Sequence, residues 1–234
     1  MYLDGGQLED DWLASISGKG TRARLLRRAG EIFALRGPDR ATGKEITEHA
    51  GVAAAAINYH FGGFMPLYAS VLREAHRCVA SVDQLRSVVM SGRAAESKLR
   101  ALIALGVEAL ADPRRSWALQ VIAREFIAPS ETGRAVLEDG ELFPRRQLVE
   151  GVIAEILGRP TSDAEVSRIS FMVLAPIMLL MVCDRDAARQ NFPGVSIADD
   201  AEGMIEHFHQ FALAGLAAYQ ARLTTLAGAT EGTS

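Results

Sequence analysis

Apolar residues recur along the chain at intervals of three and four, and no segment alternates with a period of two. That pattern predicts helices throughout and an all-α fold. Leu25, Leu26, Ala29, Ile32 and Phe33 make one stripe, which Thr21 is placed to cap and Gly37-Pro38 to stop. Thr42 followed by Glu45 has the spacing of a capping box and predicts a second helix over 43–50. Gly51 ends it, a third short helix covers about 54–60, and Gly62-Gly63 breaks that one. A long fourth helix follows, with Pro66 tolerated in its first turn, and is predicted to reach about 89. Helical period returns at about 94–111, 114–128, 144–158, 163–185 and 199–227, and Ser162 with Glu165 supplies another capping box.

These segments group into an acidic extension over 1–18, a small helical module over 19–65, a larger helical body over 66–227, and a flexible tail over 228–234. The longest apolar run, Ile169 to Cys183, holds 15 residues and includes Pro176. It is short for a membrane span, which takes roughly 20 residues, and predicts a kinked helix buried on several sides, so no membrane partner is expected. The N-terminus lacks a basic region followed by an apolar core, so no signal peptide is expected and the cytoplasm is the predicted location. Cys78 and Cys183, distant in sequence, form no CxxC and suggest neither a disulfide framework nor a zinc site.

Composition is that of a folded protein, with 49% apolar residues and 23% charged ones. The net charge of -4 hides an uneven distribution. Residues 19–77 hold ten basic residues against five acidic ones, whereas the extension and the remainder are both acidic. A basic module on an acidic body fits a chain of which one end meets a polyanion, and equally fits a solvated helix face.

Two short helices joined by a glycine turn inside a three-helix unit describe a helix-turn-helix, although plain helical hairpins share the outline. Ile46, Ala50, Val52 and Ile57 are spaced to face inward, and Gly51 suits a turn that needs positive φ.

The stretch "TRARLLRRAGEIFALRG…ATGKEITEHAGVAAAAINYHF…LYASVLREA" is similar to the N-terminal domain of TetR-type transcriptional regulators, from about Thr21 to Ala75. "REFIAPS" and "EHFHQFALAGL" resemble the CecR-type ligand domain of that family. The resemblance implies an Ω-shaped homodimer that binds a DNA operator through its N-terminal domains, and a small-molecule effector, held in the body, that lowers DNA affinity. It implies phosphate contacts from Thr42 and Lys44, where a helix N-terminus also attracts anions, and a backbone contact from the Tyr59 hydroxyl. His60 is either a DNA contact or a partly buried helix end. Arg22, with Arg24 and Arg40, is placed to add charge. Ala53 and Phe64 stand where the family often carries Ser and Lys, which weakens the expected phosphate grip.

Ala54 and Ala55 let the backbone approach the major groove closely, and Asn58 is the nearby side chain able to bond adenine bidentately. A thin direct readout is therefore expected, completed by phosphate positioning and DNA shape. His207 and His209 point about 200° apart on a helix and do not suggest a metal site. There is no Gly-rich phosphate loop, GxSxG or Cys/His nucleophile pattern, so neither an enzyme nor a cofactor is expected. The helices over 169–183 and 199–227 are candidates for a four-helix dimer interface. Trp117, Phe126, Met172, Met178 and Met181 are candidate ligand-lining residues, with ordinary core packing the alternative for each. The function expected from all this is a ligand-responsive DNA-binding repressor. The alternative is an all-α dimeric binding protein whose DNA module has weakened.

Overall fold

The computed structural model describes residues 20–138 and 143–231, with side chains described over 20–138 and 144–222. The acidic extension over 1–18 and residues 232–234 lie outside the described residues. Among the described residues there is no strand. The helices are α1 (Thr21–Arg36), α2 (Gly43–Ala50), α3 (Ala56–Phe61), α4 (Phe64–Val79), α5 (Val82–Val89) and α6 (Ala95–Ala111). A 3-10 turn (Pro113–Arg115) then precedes α7 (Ser116–Ile127), α8 (Glu131–Glu138), α9 (Phe143–Leu157), α10 (Ala164–Val182), α11 (Arg185–Asn191) and α12 (Ala201–Glu231).

The chain divides into two compact units, Met1–Ser81 with Asp112–Phe143, and Val82–Ala111 with Pro144–Ser234. In the first, α1 packs against α2, α4 and α7, and α4 packs against α7 and α8. Leu25, Phe33, Ile46, Leu67, Tyr68 and Val71 are fully buried at its centre. A Cβ on Gly30 of α1 would stand 2.7 Å from the Trp117 ring of α7, so only glycine permits this approach. The Arg124 guanidinium donates to the Ala34 carbonyl at 3.2 Å, satisfying the C-terminal turn of α1 and setting a cation where the helix dipole favours one. A division at residue 65 would thus cut through this unit. Periodicity showed that α4 and α7 have buried faces but not that those faces meet each other.

In the second unit α6 packs against α12, α10 and α5. Ion pairs tie its surface together, Lys98 to Glu155 at 2.9 Å and Arg100 to Glu202 and Glu206. Helix α10 buries one face through Val166, Ile169, Ser170, Ile177 and Leu180. Its other side leaves Phe171, Met172 and Leu179 exposed, so the expectation of burial on several sides is not met. By length and composition α10 is apolar enough to cross a membrane, and 28% of its apolar window is buried.

Several local expectations are also corrected. Thr21 is already helical and Gly20 precedes α1 without a side-chain cap. Asp163, not Ser162, caps α10, accepting from the Glu165 N–H at 2.9 Å. The long fourth helix is two helices, because Ala80 is buried in an extended conformation, and Ser81 with Gln84 has the spacing of a new start. Helices α8 and α11 went unforeseen, although Ser130 and Asp184 occupy capping positions and each accepts a backbone N–H three residues on. Helix α12 continues to Glu231, through residues expected to form a tail.

Candidate nucleic-acid interface

Helices α2 and α3 form the expected helix-turn-helix. Thr42 caps α2, its hydroxyl accepting from the Glu45 N–H at 3.2 Å. The Glu45 carboxylate turns away to meet Arg36 of α1 at 3.0 Å, so the capping box is half made. Gly51 is left-handed (φ 61°, ψ 43°), and Val52 N–H returns to the Thr47 carbonyl at 3.0 Å. This closes α2 in a Schellman-like turn that glycine adopts without strain. Ile46, Ala50 and Ile57 are buried between the helices and Val52 is half-buried, as their spacing predicts.

Helix α3 starts at Ala56, two residues later than expected, and Ala55 before it supplies no side-chain cap. Ala53, Ala54 and Ala55 form an exposed turn leading into the helix. The start of α2 and the outer side of α3 then border one open groove of about 390 Å³, lined by Thr42, Gly43, Lys44, Ala54, Asn58 and Phe64. Lys44 is 84% exposed at its side chain and its ion pair with Glu48, 3.8 Å long on open surface, is weak enough for an incoming anion to displace. Tyr59 is 85% exposed and packs edge-on against the half-buried ring of His60. Arg22 is exposed and lays its guanidinium 4.8 Å over the Phe61 ring, which fixes a cation beside α3.

Phe64, where the family often carries a lysine, turns inward. Its ring meets Phe33 edge-to-face at 5.4 Å, and Phe33 meets Tyr68 in the same way at 4.8 Å. The departure removes one charge from the groove and adds an aromatic anchor beneath it.

The candidate ligand residues fall on two elements. Trp117 is a core residue of the first unit, 7% exposed and held against Gly30, which is the packing role given as its alternative. Phe126, also on α7, is 51% exposed, and on α10 Met172 is 57% exposed while Met178 and Met181 are half-buried. His207 Nδ1 meets the Gly203 carbonyl and His209 Nε2 the Glu96 carbonyl. Among the described residues no cluster of His, Cys, Asp or Glu is arranged to hold a metal. Burial pushes the Cys78 thiol up to about 11, away from the reactive thiolate range.

Two family models match the chain. That of bacterial regulatory proteins of the tetR family covers residues 25–63, and that of the C-terminal domain of the HTH-type transcriptional dual regulator CecR covers residues 95–216, just over half of the chain. No curated protein matches the sequence. Solved structures share the fold. The fatty acid degradation regulator FadR from Bacillus halodurans is 19% identical, with a TM-score of 0.61 over 82% of this chain and 97% of its own. The ketosteroid regulator KstR2 of Mycobacterium tuberculosis is 18% identical, with a TM-score of 0.60 over 86% and 96%. FadR from Bacillus subtilis, in complex with stearoyl-CoA, is 16% identical, with a TM-score of 0.59 over 79% and 96%. With one model on the helix-turn-helix and the other across the helices that follow, the chain belongs to the tetR family of bacterial transcriptional regulators, in the branch marked by the CecR C-terminal domain.

Proposed function

We propose that this regulator is a cytoplasmic homodimer that represses transcription from a pseudo-palindromic operator and leaves it when a small molecule binds. The observation that carries the DNA reading is the groove, in which the capped N-terminus of α2, the exposed cation of Lys44 and the outer face of α3 converge. A helix N-terminus and a lysine attract phosphate, and Thr42, Tyr59, His60 and Arg22 add polar or charged groups around it. Asn58 supplies the bidentate group for adenine, while Ala54 and Ala55 keep the approach close enough for thymine methyls.

Dimerisation is assigned to α10 and α12. Phe171, Met172 and Leu179 on the first, and Phe211 on the second, are large apolar side chains that a lone copy leaves in water. Two recognition helices in such a dimer read half-sites about one helical turn, ~34 Å, or a multiple apart. The effector acts by favouring a conformer of poor operator affinity, to the extent that it binds the two conformers differently. Because the similar FadR of Bacillus subtilis is solved with stearoyl-CoA, an acyl-CoA is the first effector class to test, with Met178 and Met181 as adaptable contacts.

Selection of bound duplexes from a random pool tests the reading. A pseudo-palindrome should emerge, Lys44→Ala should lower the salt slope of binding by about one, and Asn58→Ala should cost about 1–3 kcal/mol of discrimination at one base pair. If no sequence preference emerges at low salt, the uncapped start of α3 and the inward turn of Phe64 favour the second reading. That reading is a dimeric binding protein with a weakened DNA module.

A further inference from the structure

Glu125, on α7, is a buried carboxylate that no DNA contact explains. Its Oε1 accepts from the Tyr68 hydroxyl of α4 at 2.5 Å and from the Ser130 hydroxyl at 2.8 Å, and its Oε2 accepts from the Ser130 N–H at 2.7 Å. The Ser130 oxygen in turn accepts from Gly133 N–H at 2.9 Å, capping α8. A Cβ on Gly133 would stand 1.9 Å from Glu125 Oε2, so α8 closes over the carboxylate only because that residue is glycine. One side chain therefore sets the α7–α8 elbow and joins it to α4.

From Tyr68 the contacts continue without a gap. The Tyr68 ring packs edge-to-face on Phe33, Phe33 packs on Phe64, and Phe64 lines the groove 3.9 Å from where a Cβ of Gly43 would lie. All of these residues belong to one compact unit. An apolar pair could join two helices at lower desolvation cost, whereas a carboxylate with three donors admits one register. Interlocked aromatic rings pass on a shift because a packed core does not deform smoothly.

We propose that Glu125 is a positioning residue for the DNA groove. Displacement of the α7–α8 elbow moves Tyr68 and, through Phe33 and Phe64, alters the spacing between the start of α2 and α3. Operator affinity then depends on the elbow being in place, which rests on the groove being the DNA-contacting surface.

The test compares the full-length protein with its Tyr68→Phe variant, which cuts the link while keeping the ring. Hydrogen–deuterium exchange should show uptake over residues 43–61 rising about threefold or more, with α6 and α10 unchanged. Operator affinity should fall about tenfold while affinity for random duplex falls less than about twofold. A change in uptake confined to residues 124–138, or an equal loss on both DNAs, overturns the proposal. If Tyr68→Phe does not fold, Ser130→Ala, outside the ring stack, makes the same comparison. If the wild type selects no operator, the functional reading fails while the exchange measurement still decides this one.

Discussion

Where α7 meets α1 and α4, each contact accepts one partner in one place: the Trp117 ring against Gly30, Arg124 on the Ala34 carbonyl, Glu125 on the Tyr68 hydroxyl. Where α6 meets α10 and α12 in the other unit, the buried residues are aliphatic, such as Leu99, Ile103, Ile177 and Leu216, and Arg100 pairs with Glu202 and Glu206 on the surface. Directional contacts and close glycine approaches fix register, whereas aliphatic faces tolerate small slides at little cost. The first unit thus fixes the register of its helices more tightly than the second does.

Removing the most directional contact should have the largest effect. Glu125→Ala leaves the Tyr68 hydroxyl and the Ser130 N–H unpaired in a buried site, and should cost about 3–5 kcal/mol in denaturant unfolding. In the other unit the corresponding weakness is the exposed apolar side. Phe171→Glu combined with Phe211→Glu should remove about 2–4 kcal/mol of association energy, seen in sedimentation as a shift from dimer to monomer with helical content unchanged. A dimer that survives both substitutions would move the interface elsewhere.

The same substitution made once in each unit sharpens the contrast. Gly30→Ala drives a methyl into a fixed indole ring and should cost about 1–3 kcal/mol. Gly106→Ala meets the Ile177 side chain, with Cδ1 and Cγ2 each 3.1 Å away, a tight contact that a shift of a few tenths of an ångström relieves. Alanine also favours the helix there by about 1 kcal/mol, so the net change should stay within about 0.5 kcal/mol. Equal costs at the two positions would break the comparison.

Between these in size lies a pH effect specific to the first unit. Burial, then the Glu125 hydrogen bond, pushes the Tyr68 hydroxyl well above the ordinary phenol range. A tyrosine with its folded pKa raised gives stability that is complete below about pH 10, where the unfolded phenol is also neutral. Above that pH the unfolded chain ionises first, so stability falls by about 1.4 kcal/mol per pH unit. Unfolding free energies from pH 8 to 11 should stay level to about pH 10 and then fall in the wild type, with a smaller fall in Tyr68→Phe.

Much of the molecule was legible in the sequence because it is local. The all-α class follows from periodicity, and the helix-turn-helix from Thr42 and Gly51, whose cap and left-handed turn act within a few residues. Other features were decided by distant partners. A buried stripe reveals that a helix packs but not against what, so nothing in α7 announced that Trp117 is core to α1 or that "REFIAPS" grips Tyr68. Nor could hydropathy distinguish an apolar helix buried in its own chain from α10, of whose apolar window 28% is buried and which leaves Phe171, Met172 and Leu179 exposed. Sequence fixes what each helix must bury or expose, since that depends on its own residues. Tertiary structure decides which helix meets which, since that depends on shape and hydrogen-bond geometry among residues far apart in the chain.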